Sequence, residues 1–208
     1  MKSLTLIDAG TGNLRSVQKA LESVGASVTL TSDPDVVAQG GRVVLPGVGA
    51  FGDFMDGLRA RNLEEPVLDV VHRGDPMLGI CVGMQAFFEY GLEMGKYAGL
   101  GILPGEVVRF PNFGDLKVPH TGWNQLWPAK PAEQSSTLLA GLDNGAYVYF
   151  NHSYYCAPSQ PSDVVANTDY GFDYASMVQR DNVFGVQFHP EKSQRVGMSI
   201  LRNFLDLT

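Results

Sequence analysis

The chain has 208 residues, a formal net charge of −7 and 24 glycines, and only 18% of its residues are charged. This acidic balance argues against a nucleic-acid backbone or an anionic membrane surface as the main partner. Because 44% of the residues are hydrophobic, the chain can bury a core, and its length suits one α/β domain over residues 1–208.

No stretch approaches the roughly 20 apolar residues that a membrane-spanning helix needs. The first apolar run, residues 4–7, is too short for a secretory signal peptide and is followed at once by Asp8. The two cysteines, Cys81 and Cys156, are too few to form a disulfide framework for this length. We therefore expect a cytoplasmic protein.

Short apolar runs alternate with helical patterns through the first half of the chain. The predicted strands are residues 4–7, 26–30, 43–45 and 77–80. The predicted helical segments are residues 14–24, 34–39, 52–72 and 83–92. Strands that alternate with helices indicate a parallel sheet whose two faces are both covered.

The pattern changes from about residue 102. Apolar runs separated by turn residues predict strands at residues 106–110, 146–150, 164–167 and 175–178. Residues 179–182 are typical of a hairpin loop, and residues 193–207 of a final helix. The predicted fold is therefore α/β, an open mixed, mostly parallel central sheet with helices on both faces and extra antiparallel strands in the second half.

The most informative segment is Gly79-Ile80-Cys81-Val82-Gly83, which ends an apolar strand, crosses a sharp turn and begins a helix. It has the layout of the nucleophile elbow of hydrolases, with cysteine in place of serine. Glycines on both sides let strand and helix approach closely and hold the central residue in a strained turn. A helix N-terminus favours the thiolate, and its first N–H groups, beginning with that of Val82, could bind an oxyanion.

A different interpretation of Cys81 is an inert, buried cysteine between two packing glycines, because free cysteines are usually buried. Cys156 has no comparable sequence around it. For Cys156 we expect this core role.

A cysteine nucleophile needs a base, and four histidines are candidates. We expect His72 on the surface, and His120 and His152 in loops. His189 differs from the others because it ends the apolar run 183–188. This position makes His189 the preferred base.

His189 begins the motif His189-Pro190-Glu191. Proline keeps the residue before it extended, so side chains two positions apart project to the same side. Glu191 can then accept a hydrogen bond from one imidazole nitrogen while the other faces the thiol. Cys81, His189 and Glu191 form a candidate triad, although the motif read alone also fits a plain loop turn.

A second glycine-rich turn, Pro46-Gly47-Val48-Gly49, follows the predicted strand at 43–45. It lacks the lysine and the Ser/Thr of a phosphate-binding P-loop. Its backbone could instead direct an N–H group at an oxyanion near the carboxyl ends of the strands. Because the Gly-rich segment at 10–15 also lacks the third glycine of a dinucleotide fingerprint, we expect no nicotinamide or flavin cofactor, and no metal.

Together, the motifs at residues 46–49, 79–85 and 189–191 resemble the triad-type, class I glutamine amidotransferases. The segments at residues 7–17, 117–124 and 149–154 are similar to one branch of that family, the glutaminase subunits of imidazole glycerol phosphate synthase. The resemblance spans essentially the whole chain. Ala9 and Thr121 depart from the aromatic residue and the methionine often found at these positions.

The resemblance implies that Cys81 attacks the side-chain amide of L-glutamine, that His189 protonates the departing ammonia, and that Glu191 orients the imidazole. Water activated by His189 would then hydrolyse the glutamyl thioester. The residues implied at the oxyanion site are Gly47, Val48, Gly49 and Val82. Those implied in glutamine binding are Gly49, Gln85, Glu93, Ser153 and Tyr154.

The family passes its ammonia to a (β/α)₈ cyclase subunit, which would produce imidazole glycerol phosphate and an aminoimidazole carboxamide ribotide. This partner implies a heterodimer that serves histidine biosynthesis. The candidate interface residues are Asn13, Arg15, Pro119, Gly122, Trp123 and Asn124. The aromatic stretch around Trp123 would also fit a small core cluster.

Two other functions are compatible with the motifs. One is a free-standing cysteine hydrolase with its own substrate, and the other is a binding module without catalysis that keeps the elbow for structure alone. A related glutaminase of pyridoxal synthesis also shares the triad. The segments at 12–16 and 119–124 favour the imidazole glycerol phosphate synthase branch.

Overall fold

The computed structural model describes residues 2–112, 114, 116–131 and 136–207. The strands are β1 (Lys2–Ile7), β2 (Ala26–Thr31), β3 (Val43–Gly47), β4 (Met77–Cys81), β5 (Phe88–Gly91), β6 (Tyr97–Ala98), β7 (Leu103–Arg109), β8 (His120–Pro128), β9 (Ala146–His152), β10 (Tyr154–Pro158), β11 (Val164–Asp169), β12 (Asp173–Arg180) and β13 (Val183–Val186). The helices are α1 (Leu14–Ser23), α2 (Pro34–Ala38), α3 (Phe51–Ala60), α4 (Glu64–His72), α5 (Val82–Gln85) and α6 (Gln194–Asp206). Short 3₁₀ turns occur at Thr137–Leu139, Pro161–Asp163 and Pro190–Lys192.

The described strands form a single mixed sheet. Five neighbouring strands, in the order β2-β1-β3-β4-β13, are parallel. Strands β12, β10, β7, β5 and β6 extend the sheet, and β11, β8 and β9 branch from β12 in antiparallel pairs. The predicted combination of a parallel first half with antiparallel strands in the second half is confirmed.

Burial of the central strands follows from the helices on both faces of the sheet. All residues of β3 and β4 are buried, as expected for parallel strands covered on both sides. Helix α3 presents Phe51, Phe54, Met55 and Leu58 on one face at helical spacing, and all four are fully buried. Helix α1 packs against α6, and α2 packs against α4. No helix among the described residues is long and apolar enough to cross a membrane.

The hairpin between β12 and β13 is tighter than the sequence indicated. Arg180 pairs directly with Val183, so the loop is Asp181 and Asn182 rather than residues 179–182. Asp181 has a φ of 49°, a conformation that short polar residues tolerate. The predicted final helix is confirmed as α6.

The prediction of one helix over residues 83–92 is wrong. Helix α5 is a single turn that ends at Gln85, and β5 begins three residues later. Phe88 pairs with Leu103 of β7, and a Cβ on Gly91 would lie 2.4 Å from the Phe51 ring. Pairing with β7 therefore outweighs the local helical pattern, in keeping with the β preference of aromatic residues.

The helical region predicted over residues 52–72 is two helices, α3 and α4. The break occurs at Asn62, whose φ of 55° ends α3 in the left-handed conformation. Strands β6, β8 and β10 were missed. In β8 the polar residues of a half-exposed strand interrupt the apolar alternation on which the prediction relied.

Candidate active site

Three adjacent parallel strands carry the site at their carboxyl ends: β3 through Gly47, β4 through Cys81, and β13 through residues 187–189. Cys81 has φ 55° and ψ −112°, a strained backbone conformation for a residue with a side chain. Helix α5 begins at the next residue, Val82. Because α5 is only one turn long, it offers its first free N–H groups next to Cys81 rather than a long helix dipole, and none of them is hydrogen-bonded to the Cys81 side chain.

The sharp turn depends on contacts that leave no space for a side chain. A Cβ on Gly83 would lie 1.8 Å from the carbonyl oxygen of Leu45, and a Cβ on Gly79 would lie 2.6 Å from the Phe87 ring. These two glycines therefore let α5 rest directly on β3 and β4. Their close packing positions Cys81 at the edge of the sheet.

His189 is buried beside Glu191, and its Nδ1 lies 3.0 Å from Glu191 Oε1. An ionised carboxylate only accepts hydrogen bonds, so Nδ1 is the donor. The other imidazole nitrogen is left to face Cys81, whose side chain lies close enough to His189 to raise its pKa. The structure thus brings all three members of the predicted triad together.

Backbone contacts fix the segment that carries the imidazole. The backbone N–H of His189 donates to the carbonyl oxygen of Tyr149 at 2.9 Å. Ser193, which is buried, donates its hydroxyl to the His189 carbonyl at 2.6 Å and accepts from the Tyr149 N–H at 3.0 Å. These bonds attach the His189 turn to β9.

Burial alone would lower the pKa of His189, but its hydrogen bonds with Cys81 and Glu191 and the negative charges of both groups raise that pKa from 6.5 to about 10. The imidazole is therefore protonated at neutral pH and faces the sulfur. A cation in contact with the thiol favours the thiolate, which is the nucleophilic form of cysteine. The pair is prepared for nucleophilic attack followed by proton donation.

Gln187 is a site residue that the sequence analysis missed. It is fully buried, and its Nε2 donates to Cys81 Sγ at 3.7 Å. Its Oε1 accepts from Gln85 Nε2 at 3.1 Å, and the same Gln85 nitrogen donates to the Tyr154 carbonyl at 3.1 Å. The available signal was its place as the one amide in the apolar run 183–188, two positions before His189.

A cavity of about 260 Å³ opens above the sulfur. Its lining residues are Val48, Gly49, Cys81, Val82, Gln85, Glu93, Pro119, Asn151, His152, Ser153, Tyr154, His189 and Lys192. All five predicted glutamine-binding residues line this cavity. Asn151, His152 and Lys192 line it as well, and no role in the site had been predicted for them. Its size and polar lining suit a small polar molecule.

The glycine loop predicted to bind an oxyanion lies next to Cys81. Gly47 pairs with Cys81 in the register of β3 and β4, and Gly49 has a φ of 94° that favours glycine. Val48 is 37% exposed on the cavity side. The loop ends where Glu93 Oε2 accepts from the Phe51 N–H at 2.8 Å, at the start of α3.

The predicted interface residues differ in exposure. Asn13, Arg15, Pro119 and Trp123 are exposed, and Trp123 lies edge-on to Tyr149. Gly122 and Asn124 are half-buried. The amide of Asn124 turns inward, where it donates to the Asp169 carbonyl at 2.8 Å.

The placement of His120 and His152 in loops is wrong. They are cross-strand partners in β8 and β9, and both side chains are buried. The loop interpretation failed because both strands carry many polar residues. His72 is exposed at the end of α4, as predicted, and Cys156 is buried in β10.

Burial raises the pKa of the Cys156 thiol well above its ordinary value, and the nearby Cys81 adds to that effect. Cys156 is therefore an unreactive thiol, in keeping with the predicted core role. Over the described part of the chain, no group of three His, Cys, Asp or Glu side chains is arranged to hold a metal ion.

Comparison with known proteins adds independent information. The profile of the family "Glutamine amidotransferase class-I" matches residues 5–207. The chain is 53% identical to imidazole glycerol phosphate synthase subunit HisH of Syntrophotalea carbinolica, over 98% of this chain and 100% of that protein. It is 50% identical to the subunit of the same name from Salinibacter ruber, over 98% and 94%.

Solved structures agree on the fold. A crystal structure of a glutamine amidotransferase superimposes with a TM-score of 0.73 at 20% identity, covering 97% of each chain. The structure of PurLQS from Thermotoga maritima superimposes with a TM-score of 0.72 at 18% identity, covering 99% of each chain. The α/β fold is thus shared with proteins of low sequence identity.

Proposed function

Because the chain belongs to the class I glutamine amidotransferase family, we propose that it hydrolyses L-glutamine as the glutaminase subunit of imidazole glycerol phosphate synthase. The observation that carries the proposal is the buried His189, which is hydrogen-bonded to Glu191 and adjacent to Cys81 beside a polar cavity. The proposed unit is one domain over residues 1–208, acting in the cytoplasm.

In the first half-reaction, the Cys81 thiolate attacks the side-chain carbonyl carbon of glutamine. The carbonyl oxygen becomes an oxyanion, for which the N–H of Val82 and those of the loop at Gly47, Val48 and Gly49, beside Cys81, are the proposed donors. The protonated His189 then gives its proton to the amide nitrogen. The carbon–nitrogen bond breaks, ammonia leaves, and a glutamyl thioester remains on Cys81.

In the second half-reaction, the now neutral His189 removes a proton from water, and the resulting hydroxide attacks the thioester carbon. The carbon–sulfur bond breaks, the new carboxyl group loses its proton to solvent as glutamate leaves, and the thiolate and the imidazolium are restored. Glu191 accepts the Nδ1 hydrogen throughout, so it keeps the other nitrogen directed at the reacting atoms. Each turnover consumes one glutamine and one water, and the triad is regenerated.

Recognition of glutamine follows from which polar atoms remain free. Gln85 uses its Nε2 within the protein, so its amide oxygen is the group left to accept from a ligand. Glu93 uses Oε2 at the start of α3 and retains Oε1. Two acceptors among the lining residues suit the ammonium and amide N–H groups of glutamine. Ser153 and Tyr154 line the same cavity.

We propose a (β/α)₈ cyclase subunit as the partner that receives ammonia. The curated relatives are named as subunits of imidazole glycerol phosphate synthase. Pro119 lines the cavity and is also exposed, so the proposed docking face begins at the mouth of the site. Asn13, Arg15 and Trp123 extend that face, and Gly122 and Asn124 lie within it. Direct transfer across this face keeps ammonia from being lost to water.

Glutamine hydrolysis by the purified chain is the direct test. We expect weak glutamate formation by the chain alone and stimulation of about 100-fold by the cyclase subunit with its ribotide ligand, since a misplacement of about 1 Å at a reacting group can cost 10²-fold in rate. Glutamate is measured with an independent enzyme assay. Turnover of another amide without the cyclase would support a free-standing hydrolase, and the absence of any turnover would support a binding module.

The pH dependence of catalysis tests the role of Glu191. His189 must be protonated to release ammonia, so kcat/KM should fall as the pH rises through the pKa of His189, which Glu191 helps raise to about 10. Glu191→Gln removes that negative charge, so the pKa of His189 falls and the alkaline limb moves to lower pH by about one unit or more. The exposed Glu65→Gln is the matched control and should leave the profile unchanged. An unmoved limb in Glu191→Gln contradicts the assignment.

A further inference from the structure

We propose that Tyr174 is a positioning residue for glutamine hydrolysis, because its hydroxyl joins His120 and His152 into a buried hydrogen-bond chain that holds the Tyr154 carbonyl under Gln85. This inference rests on the proposed function, since Gln85 is placed there as a glutamine-binding residue. Tyr174 itself lines no part of the cavity.

The Tyr174 hydroxyl lies between the two imidazoles. It is 3.2 Å from His120 Nδ1 and 3.2 Å from His152 Nε2, and all three side chains are buried. The His120 ring stacks on Tyr170 at 3.9 Å and on Phe150 at 4.7 Å between centroids. Because aromatic rings surround the cluster, its polar atoms form hydrogen bonds with one another.

Both imidazoles are neutral at working pH. Burial lowers the pKa of His120 to about 4. Burial also lowers the pKa of His152 to about 3, despite the opposing hydrogen bond with Tyr154, and the nearby His120 and His189 add to the decrease. A neutral imidazole carries one hydrogen, so each ring has one donor nitrogen and one acceptor nitrogen.

The direction of each bond then follows from His152. Its Nδ1 lies 2.8 Å from the Tyr154 carbonyl oxygen, which only accepts, so Nδ1 carries the hydrogen and Nε2 must accept. Tyr174 therefore donates its single hydroxyl hydrogen to His152 Nε2. Thr168, which also contacts the Tyr174 hydroxyl, gives its own hydrogen to the Gln125 carbonyl and so supplies none to the chain.

Because the hydroxyl hydrogen is committed to His152, Tyr174 can only accept from His120. The hydrogen of His120 is thus on Nδ1, and its Nε2 faces Asn124 Nδ2 at 3.4 Å. The Asn124 amide is oriented independently, since Nδ2 donates to the Asp169 carbonyl and Oδ1 accepts from the Gln125 N–H. Donation therefore runs in one direction, from Asn124 through His120, Tyr174 and His152 to the Tyr154 carbonyl.

The hydrogen-bond chain ends in the candidate active site, at the Tyr154 carbonyl. The Tyr154 carbonyl that accepts from His152 also accepts from Gln85 Nε2. Gln85 continues to Gln187, which donates to Cys81 Sγ. Two donors thus converge on one carbonyl, and any movement of that carbonyl also displaces the Gln85 amide.

Loss of the Tyr174 hydroxyl would leave His120 Nδ1 without an acceptor and His152 Nε2 without a donor. A buried, unpaired polar atom destabilises the folded protein, so we expect the His152 ring to rotate or to carry its hydrogen on Nε2 instead. Either change weakens its bond to the Tyr154 carbonyl. The consequence is a misplaced Gln85, which affects glutamine binding more than the chemistry at Cys81.

Tyr174→Phe in the complete enzyme with its cyclase subunit is the test. We expect KM for glutamine to rise about tenfold with kcat changed less than about threefold, a size typical of one lost buried hydrogen bond. The alkylation rate of Cys81 by iodoacetamide should stay within about twofold of wild type, since the thiol itself keeps its partners. Tyr155→Phe is the matched control, because Tyr155 belongs to the same aromatic cluster and its hydroxyl makes no hydrogen bond among the described residues. It should leave KM unchanged.

A second measurement is independent of activity. ¹⁵N spectra of histidine-labelled wild-type protein should show both His120 and His152 protonated on Nδ1 and unprotonated on Nε2. An Nε2 proton on His152, or an unchanged KM in Tyr174→Phe, overturns the proposal. Equal KM changes in Tyr174→Phe and Tyr155→Phe also overturn it, since general loosening of the cluster would then be the cause. If the wild-type protein does not hydrolyse glutamine, the proposed function is refuted instead. The spectra then still test the hydrogen-bond chain from Asn124 to the Tyr154 carbonyl.

Discussion

Replacement of Cys81 by alanine should lower glutamine hydrolysis by about 10⁴-fold or more, because triad enzymes that lose their nucleophile fall by this amount or further. Cys81 has the sulfur that His189 and Gln187 both contact. Alanine keeps the Cβ and removes only that sulfur, so the expected loss of stability is about 1 kcal/mol. Steady-state glutamate formation with the cyclase subunit and a thermal melt of each protein measure the two effects.

Cys156→Ala is the control for this experiment. Cys156 is buried like Cys81, but it lies in β10 and lines no part of the cavity. We expect Cys156→Ala to retain glutamine hydrolysis within about threefold, with a similar loss of stability from the removed sulfur. Glutamine hydrolysis that persists in Cys81→Ala, or that disappears equally in both variants, would rule out Cys81 as the nucleophile.

The parts of the site that the sequence predicts are those formed by neighbours in the chain. The turn at Cys81 follows from glycines two residues to either side, and the contact of His189 with Glu191 follows from the proline between them. Both depend on local geometry, which residue spacing specifies. Their meeting at one place follows from the rule that parallel strands share a carboxyl edge.

The parts that the sequence does not predict depend on distant partners. Gln187 is oriented by its hydrogen bond with Gln85. His120 and His152 are buried only because β8 pairs with β9 and because Tyr174 of β12 packs against them. When the partner of a polar residue is unknown, the sequence predicts that the residue is exposed, because burial of an unpaired polar group is unfavourable. Spacing alone does not supply the partner.

The incorrect helix at residues 83–92 has the same origin. Residues that follow an elbow usually continue as a helix, and Phe87 and Phe88 fit an apolar helical face. In the structure, the Leu103 N–H donates to the Phe87 carbonyl at 2.9 Å, and Phe88 pairs with Leu103 in β7. Partners beyond residue 100 therefore decide the conformation of this segment.

The high glycine content has a specific structural consequence at the elbow. A Cβ on Gly83 in α5 would lie 1.8 Å from the carbonyl oxygen of Leu45 in β3, and a Cβ on Gly47 at the end of β3 would lie 2.9 Å from the Gly83 nitrogen. Helix, strand and oxyanion loop therefore meet backbone to backbone. Strand β3 cannot move aside, since it is hydrogen-bonded between β1 and β4. Any side chain at position 83 must displace α5, and Cys81 with it.

Gly83→Ala should therefore be severely damaging, although it adds one methyl group. The new Cβ would lie 1.8 Å from the Leu45 carbonyl oxygen and 2.8 Å from the Leu45 carbonyl carbon, far inside van der Waals contact. We expect the free energy of unfolding to fall by about 3 kcal/mol, at the upper end for overpacking. Because a shift of about 1 Å at a reacting group can cost 10²-fold, kcat/KM should fall by about 10²-fold or more in the protein that remains folded.

Gly74→Ala separates this overlap from the general effect of losing a glycine. Gly74 has a φ of 84° and no atom within 4 Å of its added Cβ, so its alanine variant meets backbone strain alone. That strain should lower the free energy of unfolding by about 1–2 kcal/mol, with glutamine hydrolysis unchanged. Chemical denaturation and kcat/KM, measured on both variants, make the comparison. If Gly83→Ala were no worse than Gly74→Ala, the backbone contact between α5 and β3 would not be what positions the nucleophile.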